Sequence, residues 1–395
     1  MLQADKLAME MKGHLEQKLI PFWKGMRDEV YGGYYGYMDA MLQIKKEAVK
    51  GSILNSRILW FFSNAYLCLG AEELKEYADH AYYFLRDHCY DRERGGVFWS
   101  VTFDGKVQDP TKHTYNQAFA VYALSSYYRA FGEKEALELA EKLVGVIEEK
   151  CFDEYGYREA QSVDFQPVEN DKLSENGVMA ERTMNTLLHV LEAYTEYYRV
   201  TGSRQARGKL RWMLGIIREK IYNPVLHRQE VFFDLEMHSL IDLHSYGHDI
   251  ETSWLVDRCA EILGDREILE KMRPVTAALA RQVYKTAYGR HSLANECERG
   301  VVDPKRVWWV QAEAVVGFYN AWEKSGEAEY LEAAADIWEF IKAHVVDPRQ
   351  GGEWFWYTGE DGEPAKDAPV VEPWKCPYHN GRMCMEIIWR GAHRK

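Results

Sequence analysis

The 395-residue chain lacks a cysteine framework, a long apolar run and the common nucleophile and phosphate motifs, and each absence narrows its chemistry. Its seven cysteines, at 68, 89, 151, 259, 297, 376 and 384, are odd in number and show no Cys-x-x-Cys or zinc-like spacing. Several sit among apolar residues, as in Ala65-Tyr66-Leu67-Cys68, so reduced, mostly buried thiols in a cytoplasmic protein are expected. The first residues, MLQADKLAMEMKGHLEQKLIPFW, carry charges throughout and have no apolar core of a signal peptide. No run approaches ~18 uninterrupted apolar residues, so no membrane span is expected. There is no Gly-rich phosphate loop, no Gly-x-Ser-x-Gly elbow and no paired nucleophile motif. Basic residues are also scarce: 49 Lys and Arg face 62 Asp and Glu, a net charge of −13. Nucleic acid needs a basic face, so it is not expected as a partner.

Aromatic residues are plentiful, with 13 Trp and 26 Tyr. Most will be core, but such rings also suit a carbohydrate site, where sugar C–H faces pack on aromatic faces. A pattern also recurs. Asp28-Glu-Val-Tyr-Gly32-Gly33, Asp91-Arg-Glu-Arg-Gly95-Gly96 and Asp347-Pro-Arg-Gln-Gly351-Gly352 share Asp-x-x-x-Gly-Gly followed by aromatics, and Asp153-Glu-Tyr-Gly-Tyr is a weaker copy. Gly-Gly permits a tight turn and the alternating aromatics suit a short strand. Asp104-Gly105 and Asp361-Gly362 read as hairpin turns. Each copy follows an amphipathic helix, expected over 3–22, 72–89, 134–150 and 327–345.

A second series interleaves with the first. Six segments begin with polar residues and continue as helices apolar on most faces, which marks buried helices. Their markers are Arg57, Gln117, His189, His248, Gln311 and Asn380, recurring about every sixty to seventy residues. Six buried helices alternating with six amphipathic ones give an all-α fold, an (α/α)6 barrel (α/α toroid) with short β-hairpins in the loops. The rival is an open α-solenoid, which would not need polar clusters at the same end of every inner helix. With no Pro/Ser/Gly-rich linker, residues 1–395 are expected to form a single catalytic domain.

Three clusters carry ionisable chemistry. Trp374-Lys-Cys-Pro-Tyr-His379-Asn380-Gly-Arg382 places a ring, a base and an arginine just before the last inner helix. In His248-Asp-Ile-Glu251 the two residues are three apart, on one helix face, so Glu251 is expected to orient the His248 ring. Zinc is a rival there, but no His-x-x-x-His or second ligand motif appears, so no metal is expected. Asn185 and His189 are four apart and share the face turned to the barrel lumen. Trp308-Trp309-Val-Gln311-Ala-Glu313, Arg57 and Tyr115 complete the polar ring. Glu251 and Glu313 could alternatively face each other as the carboxylate pair of a glycoside hydrolase. A carbohydrate-binding toroid without catalysis is a third reading.

The segments RILWFFSNAY (57–66), YNQAFAVYALSSYYR (115–129), NTLLHVLEAYTEYYR (185–199), YGHDIETSWL (246–255), WWVQAEAVVGFYNA (308–321) and WKCPYHNGRMCMEI (374–387) occur in order across nearly the whole chain. On them the sequence resembles the N-acylglucosamine 2-epimerase superfamily, and within it the cellobiose 2-epimerases. GGEWFWY (351–357) and WKCPYHNGR strengthen the second likeness. The resemblance implies the same barrel and reversible epimerisation at C2 of the reducing-end sugar of β-1,4-linked disaccharides such as cellobiose, lactose and mannobiose. It implies catalytic histidines at His189, His248 and His379. Sugar-binding positions are implied at Arg57, Tyr115, Asn185, Glu251 and Trp374, with Trp308, Trp309 and Glu313 added from the neighbouring cluster. No cofactor is expected, because the reaction has no redox step. The expected partner is a disaccharide, with a monomer favoured over a homodimer. An aldose–ketose isomerase, or a monosaccharide or N-acylglucosamine 2-epimerase, is the alternative on the same scaffold.

Overall fold

The computed structural model describes residues 3–173 and 176–392. In chain order the helices are α1 (Gln3–His14), α2 (Ile20–Gly25), α3 (Ser52–Leu69), α4 (Leu74–Phe84), α5 (Thr114–Phe131), α6 (Lys134–Val146), α7 (Met184–Thr201), α8 (Arg204–Ile216), α9 (Tyr246–Leu263), α10 (Arg266–Thr286), α11 (Trp308–Ser325), α12 (Ala328–Phe340) and α13 (His379–Ala392). Helices α3, α5, α7, α9, α11 and α13 each pack on the next, and α13 returns to α3. They form the inner ring of an (α/α)6 toroid. Helices α4, α6, α8, α10 and α12 each pack outside the inner helix that precedes them, and α1 packs outside α13. The first helix of the chain thus completes the layer around the last.

The two rings follow from composition. On α3 every residue from Ser52 to Ala65 is buried, as befits a helix apolar nearly all round. The outer helix α6 buries only Ala136, Leu139, Ala140, Leu143 and Val144, one stripe at helical spacing. Five inner helices stop on a glycine with left-handed backbone, at Gly70, Gly132, Gly202, Gly264 and Gly326, where a side chain would be strained. Five outer layers end or continue in a single π turn, for example Leu85–Cys89 and Ile217–Ile221, each burying its first and last residues. The expected amphipathic stretches therefore hold in place, while these π turns were not legible from periodicity.

The expected hairpins line one end of the ring. Short strands run directly into the inner helices: Lys50–Gly51 into α3, Lys112–His113 into α5, Arg182–Thr183 into α7, Leu243–Ser245 into α9 and Arg306–Val307 into α11. The largest wall pieces are two three-stranded sheets. One pairs Leu243–Ser245 with Glu296–Glu298, which in turn pairs with Val301–Asp303, all antiparallel. Among the described residues no helix is long and apolar enough to cross a membrane.

One expectation needs correction here. Gln117 and Gln311, the markers of two inner helices, do not serve the lumen. The Gln117 side chain accepts from Val97 N at 2.6 Å and donates to Val97 O at 2.8 Å. Gln311 clamps Leu293 in the same way, and Asn55 accepts from Tyr34 N. The two glutamine amides each match both the donor and the acceptor of one backbone unit, and Asn55 donates to Gly51 O at 3.2 Å, so all three bind the protein rather than a ligand.

Candidate active site

A cavity of about 160 Å³ opens at the strand-bearing end of the ring. It brings together His189 one turn into α7, His248 at the first turn of α9 and His379 at the start of α13. Arg57, Tyr115, Asn185, Glu251, Trp308, Trp309 and Trp374 line it as well. Inner helices supply nearly all of them from their first turns, and all but α13 follow a wall strand directly, which holds the side chains on rigid backbone. A larger groove of about 470 Å³ lies on the outer wall between α1, α10 and α12. It gathers carboxylates and tyrosines but no imidazole or arginine, so chemistry rather than volume locates the site.

Each of the three histidines is held at Nδ1 by the protein. His189 Nδ1 lies 2.9 Å from Glu192 Oε2. His379 Nδ1 lies 2.7 Å from Glu313 Oε1, and His248 Nδ1 lies 2.7 Å from Ser245 Oγ. The expectation that Glu251 orients His248 is therefore wrong. The wall strand ending at Ser245 delivers a hydroxyl to that ring first. The Trp309 ring of α11 touches both His248 and His379, with centroids 4.8 and 5.4 Å away. Burial pushes the His248 imidazole down to about 3, aided by repulsion from His189, and it lowers His189 and His379 too. Burial thus favours the neutral form of all three rings.

Beneath the cavity lies a charge cluster that sequence reasoning missed. The fully buried Arg382 guanidinium donates to Glu192 Oε1 at 2.5 Å, to Glu313 Oε1 at 2.7 Å, and to Glu251 Oε1 and the Tyr378 hydroxyl. Glu313 also accepts from Trp254 Nε1 at 3.0 Å. Glu313 was expected to touch sugar, but it does not line the cavity; it stands behind His379 as that ring's carboxylate partner. Three carboxylates around one cation cannot all ionise cheaply. Burial and the neighbouring Glu313 push Glu251 up to about 8, and its Oε2 has no hydrogen-bond partner among the described residues. Burial would also raise Glu192, but Arg382, His189 and Tyr378 hold it well below the usual range.

The cluster bears on two rival chemistries. Glu251, Glu313 and His379 offer three metal-type donors within 4.8 Å of one another. The Arg382 guanidinium already sits on both carboxylates, so a cation there would meet a fixed positive charge. The same two carboxylates share one guanidinium nitrogen instead of flanking the cavity, which does not suit the opposed pair of a glycosidase.

Arg57 is different. It is buried, donates to Tyr115 Oη at 2.8 Å, and stacks over Phe119 at 4.2 Å and Tyr378 at 4.7 Å. Among the described residues no carboxylate lies within ion-pair distance of it, and its Nε is unpartnered. A buried cation without a counter-ion is costly unless something anionic arrives. Lys172, Asn176, Glu296 and Trp356 complete the lining from loops and strands; Trp356 stood in the GGEWFWY segment, and the other three carried no motif to signal them. Lys172 pairs with Asp109 at 3.1 Å, and Asn176 donates to Glu296 at 3.1 Å.

Comparison with known proteins follows the same lines. A family model described as N-acylglucosamine 2-epimerase (GlcNAc 2-epimerase) matches residues 33–380. A cellobiose 2-epimerase of Ruminococcus albus is 49% identical over 383 residues, covering 97% of this chain and 98% of its own. A cellobiose 2-epimerase of Eubacterium cellulosolvens is 51% identical over 393 residues, covering 95% and 97%. The crystal structure of a sugar epimerase from a ruminal bacterium has a TM-score of 0.96 at 48% identity, covering 97% of this chain and 99% of that one.

Proposed function

The chain belongs to the N-acylglucosamine 2-epimerase family and is an isomerase of the cellobiose 2-epimerase type, and from that premise we propose that it inverts C2 of the reducing-end glucose or mannose in β-1,4-linked disaccharides. Cellobiose, lactose and mannobiose are the substrates proposed. The observation that carries the reading is the common tethering of three imidazoles. Each is fixed at Nδ1, and all three rings line one cavity.

The chemistry asks for such groups. A C2 proton is acidic only when C1 is an aldehyde, so the sugar ring opens first. Removing that proton gives a cis-enediolate, and returning one to the other face inverts C2. Two bases are needed, and an imidazole that burial keeps in its neutral form offers a bare ring nitrogen to take the proton. His248 and His379 are the proposed face-specific pair. They enter from α9 and α13 on either side of α11, whose Trp309 touches both. His189 serves the C1 and C2 oxygens. Arg57, lacking a carboxylate partner, offers its charge to the enediolate oxygen. Such a reaction has no redox step and calls for no cofactor. An enclosed volume of about 160 Å³ is below the ~300–1,000 Å³ of typical small-molecule sites, so the reacting ring is held inside and the second sugar lies at the mouth near Trp374 and Trp356. We place the whole chain in this one catalytic unit, acting as a monomer in the cytoplasm.

Incubation with cellobiose, lactose, mannobiose, glucose, mannose and N-acetylglucosamine, followed by sugar analysis, tests the reading. The C2 epimer of each disaccharide is expected. Free monosaccharides from cellobiose, or turnover of N-acetylglucosamine alone, would overturn it.

A further inference from the structure

The strongest uncredited group at the site is Glu192, a buried carboxylate in the middle of α7 that does not reach the cavity. We propose that Glu192 is a positioning residue that fixes the tautomer of His189, so that Nε2 presents a lone pair rather than a hydrogen to the substrate.

The geometry leaves little freedom. An ionised carboxylate only accepts, so the short contact between Glu192 Oε2 and His189 Nδ1 at 2.9 Å requires the hydrogen on Nδ1. Glu192 is kept ionised by its other partners: Oε1 accepts from Arg382 Nη1 at 2.5 Å, and Oε2 also accepts from the Tyr378 hydroxyl. A neutral imidazole has one N–H, and here Nδ1 holds it. Nε2 is then bare. Its nearest carboxylate oxygen, Glu251 Oε1, is 4.0 Å away, too far for a hydrogen bond. The ring is 2% exposed and packed by Phe119 and Tyr115, with centroids 4.9 and 5.1 Å away, so the other orientation would need repacking. His248 differs. Its Nδ1 partner is the Ser245 hydroxyl, which can donate or accept, so that ring is free to carry either tautomer.

This inference rests on the epimerase reading for its consequence but not for its geometry. With a bare Nε2, His189 meets the bound sugar as an acceptor. It accepts from the C2 hydroxyl, or from the C1 hydroxyl while the sugar ring is closed, and leaves the C1 aldehyde oxygen to the Arg57 guanidinium. Glu192 would set that preference without touching the sugar.

The test is NMR of protein labelled with 15N-histidine, the His189 signals being identified by their loss in His189→Asn. In the unmodified protein the expected pattern is a protonated Nδ1 and an unprotonated Nε2. In Glu192→Gln the side-chain amide can donate to Nδ1 and move the hydrogen to Nε2. That variant should lose ~100-fold in kcat with KM for cellobiose nearly unchanged, and Glu192→Asp should recover part of the loss. An Nε2–H tautomer in the unmodified protein would overturn the proposal, and that spectrum decides the matter even if Glu192→Gln does not fold. A switched tautomer with unchanged kcat would also overturn it. Absence of any epimerisation by the unmodified protein would sink the functional reading instead, while the tautomer measurement would stand.

Discussion

Arg57 is the residue on which electrostatics makes the sharpest demand. It holds a buried positive charge against aromatic rings and a phenol, with no carboxylate in ion-pair reach among the described residues. If its charge is reserved for the enediolate, Arg57→Lys keeps the charge and loses the planar fork that reaches Tyr115. Steady-state kinetics on cellobiose should show kcat lower by ~100-fold or more with KM changed far less. A rise in KM with kcat intact would assign Arg57 to ground-state binding. The positions of His189, His248, His379 and Trp374 were legible because each stands in a polar burst at the start of an apolar helix. Their partners were not. Glu192 lies mid-helix among buried residues, and Glu313 looked like another lumen group. What each carboxylate does depends on which helices face one another around Arg382, and linear spacing does not encode that.

The element that repeats is a clamp between an outer helix and the next inner one. In Asp28-x-x-x-Gly32 the aspartate caps its own turn, accepting from Val30 N and Tyr31 N, and pairs with Lys50 at 2.6 Å. Lys50 also donates to Gly32 O at 2.7 Å. Asp91, Lys112 and Gly95 repeat the arrangement at 2.9 Å, and Asp153 with Arg182 is a third version. Gly33 has left-handed backbone, and a methyl group there would come within 2.6 Å of the Phe84 ring. The Asp-x-x-x-Gly-Gly turns were legible; their lysines were not, since a lysine before a helix usually faces water. Removing one partner strands a buried charge. Asp91→Asn should therefore cost about 3 kcal/mol or more in chemical denaturation, and adding Lys112→Met should recover much of it. Equal losses in the single and double variants would show that the pair contributes nothing specific.

At the scale of the whole molecule, buried titratable groups set the pH range of stability. Burial pushes His14 and His113 down to about 4 and His248 to about 3, so the unfolded chain, at about 6.5, binds their protons more readily. That stability is present above about pH 6.5 and is lost as the pH falls toward 4. Burial pushes the Glu159 carboxyl up to about 7 and Glu251 to about 8. Their contribution has the opposite sign: it is present at low pH and is lost as the pH rises through those values. The unfolding temperature should thus peak near ~pH 6.5 and fall on both sides, and Glu159→Gln should flatten the alkaline side. A steady rise to pH 9 would contradict this. Ring closure also belongs to this scale. Its inner series was readable from the recurrence of polar helix starts, but the pairing of α1 with α13, where Met11 meets Cys384, joins the two ends of the sequence and has no local signal.

The central claim is that histidines lining the cavity of this ring move a proton on and off C2. Incubation with cellobiose in D2O, with the products resolved by NMR, measures it directly. Glucosyl-mannose carrying deuterium at C2, without ketose and without free glucose, is the result expected, and His379→Asn should abolish the exchange. Epimer formed with no solvent deuterium at C2, or glucose released in its place, would contradict the account.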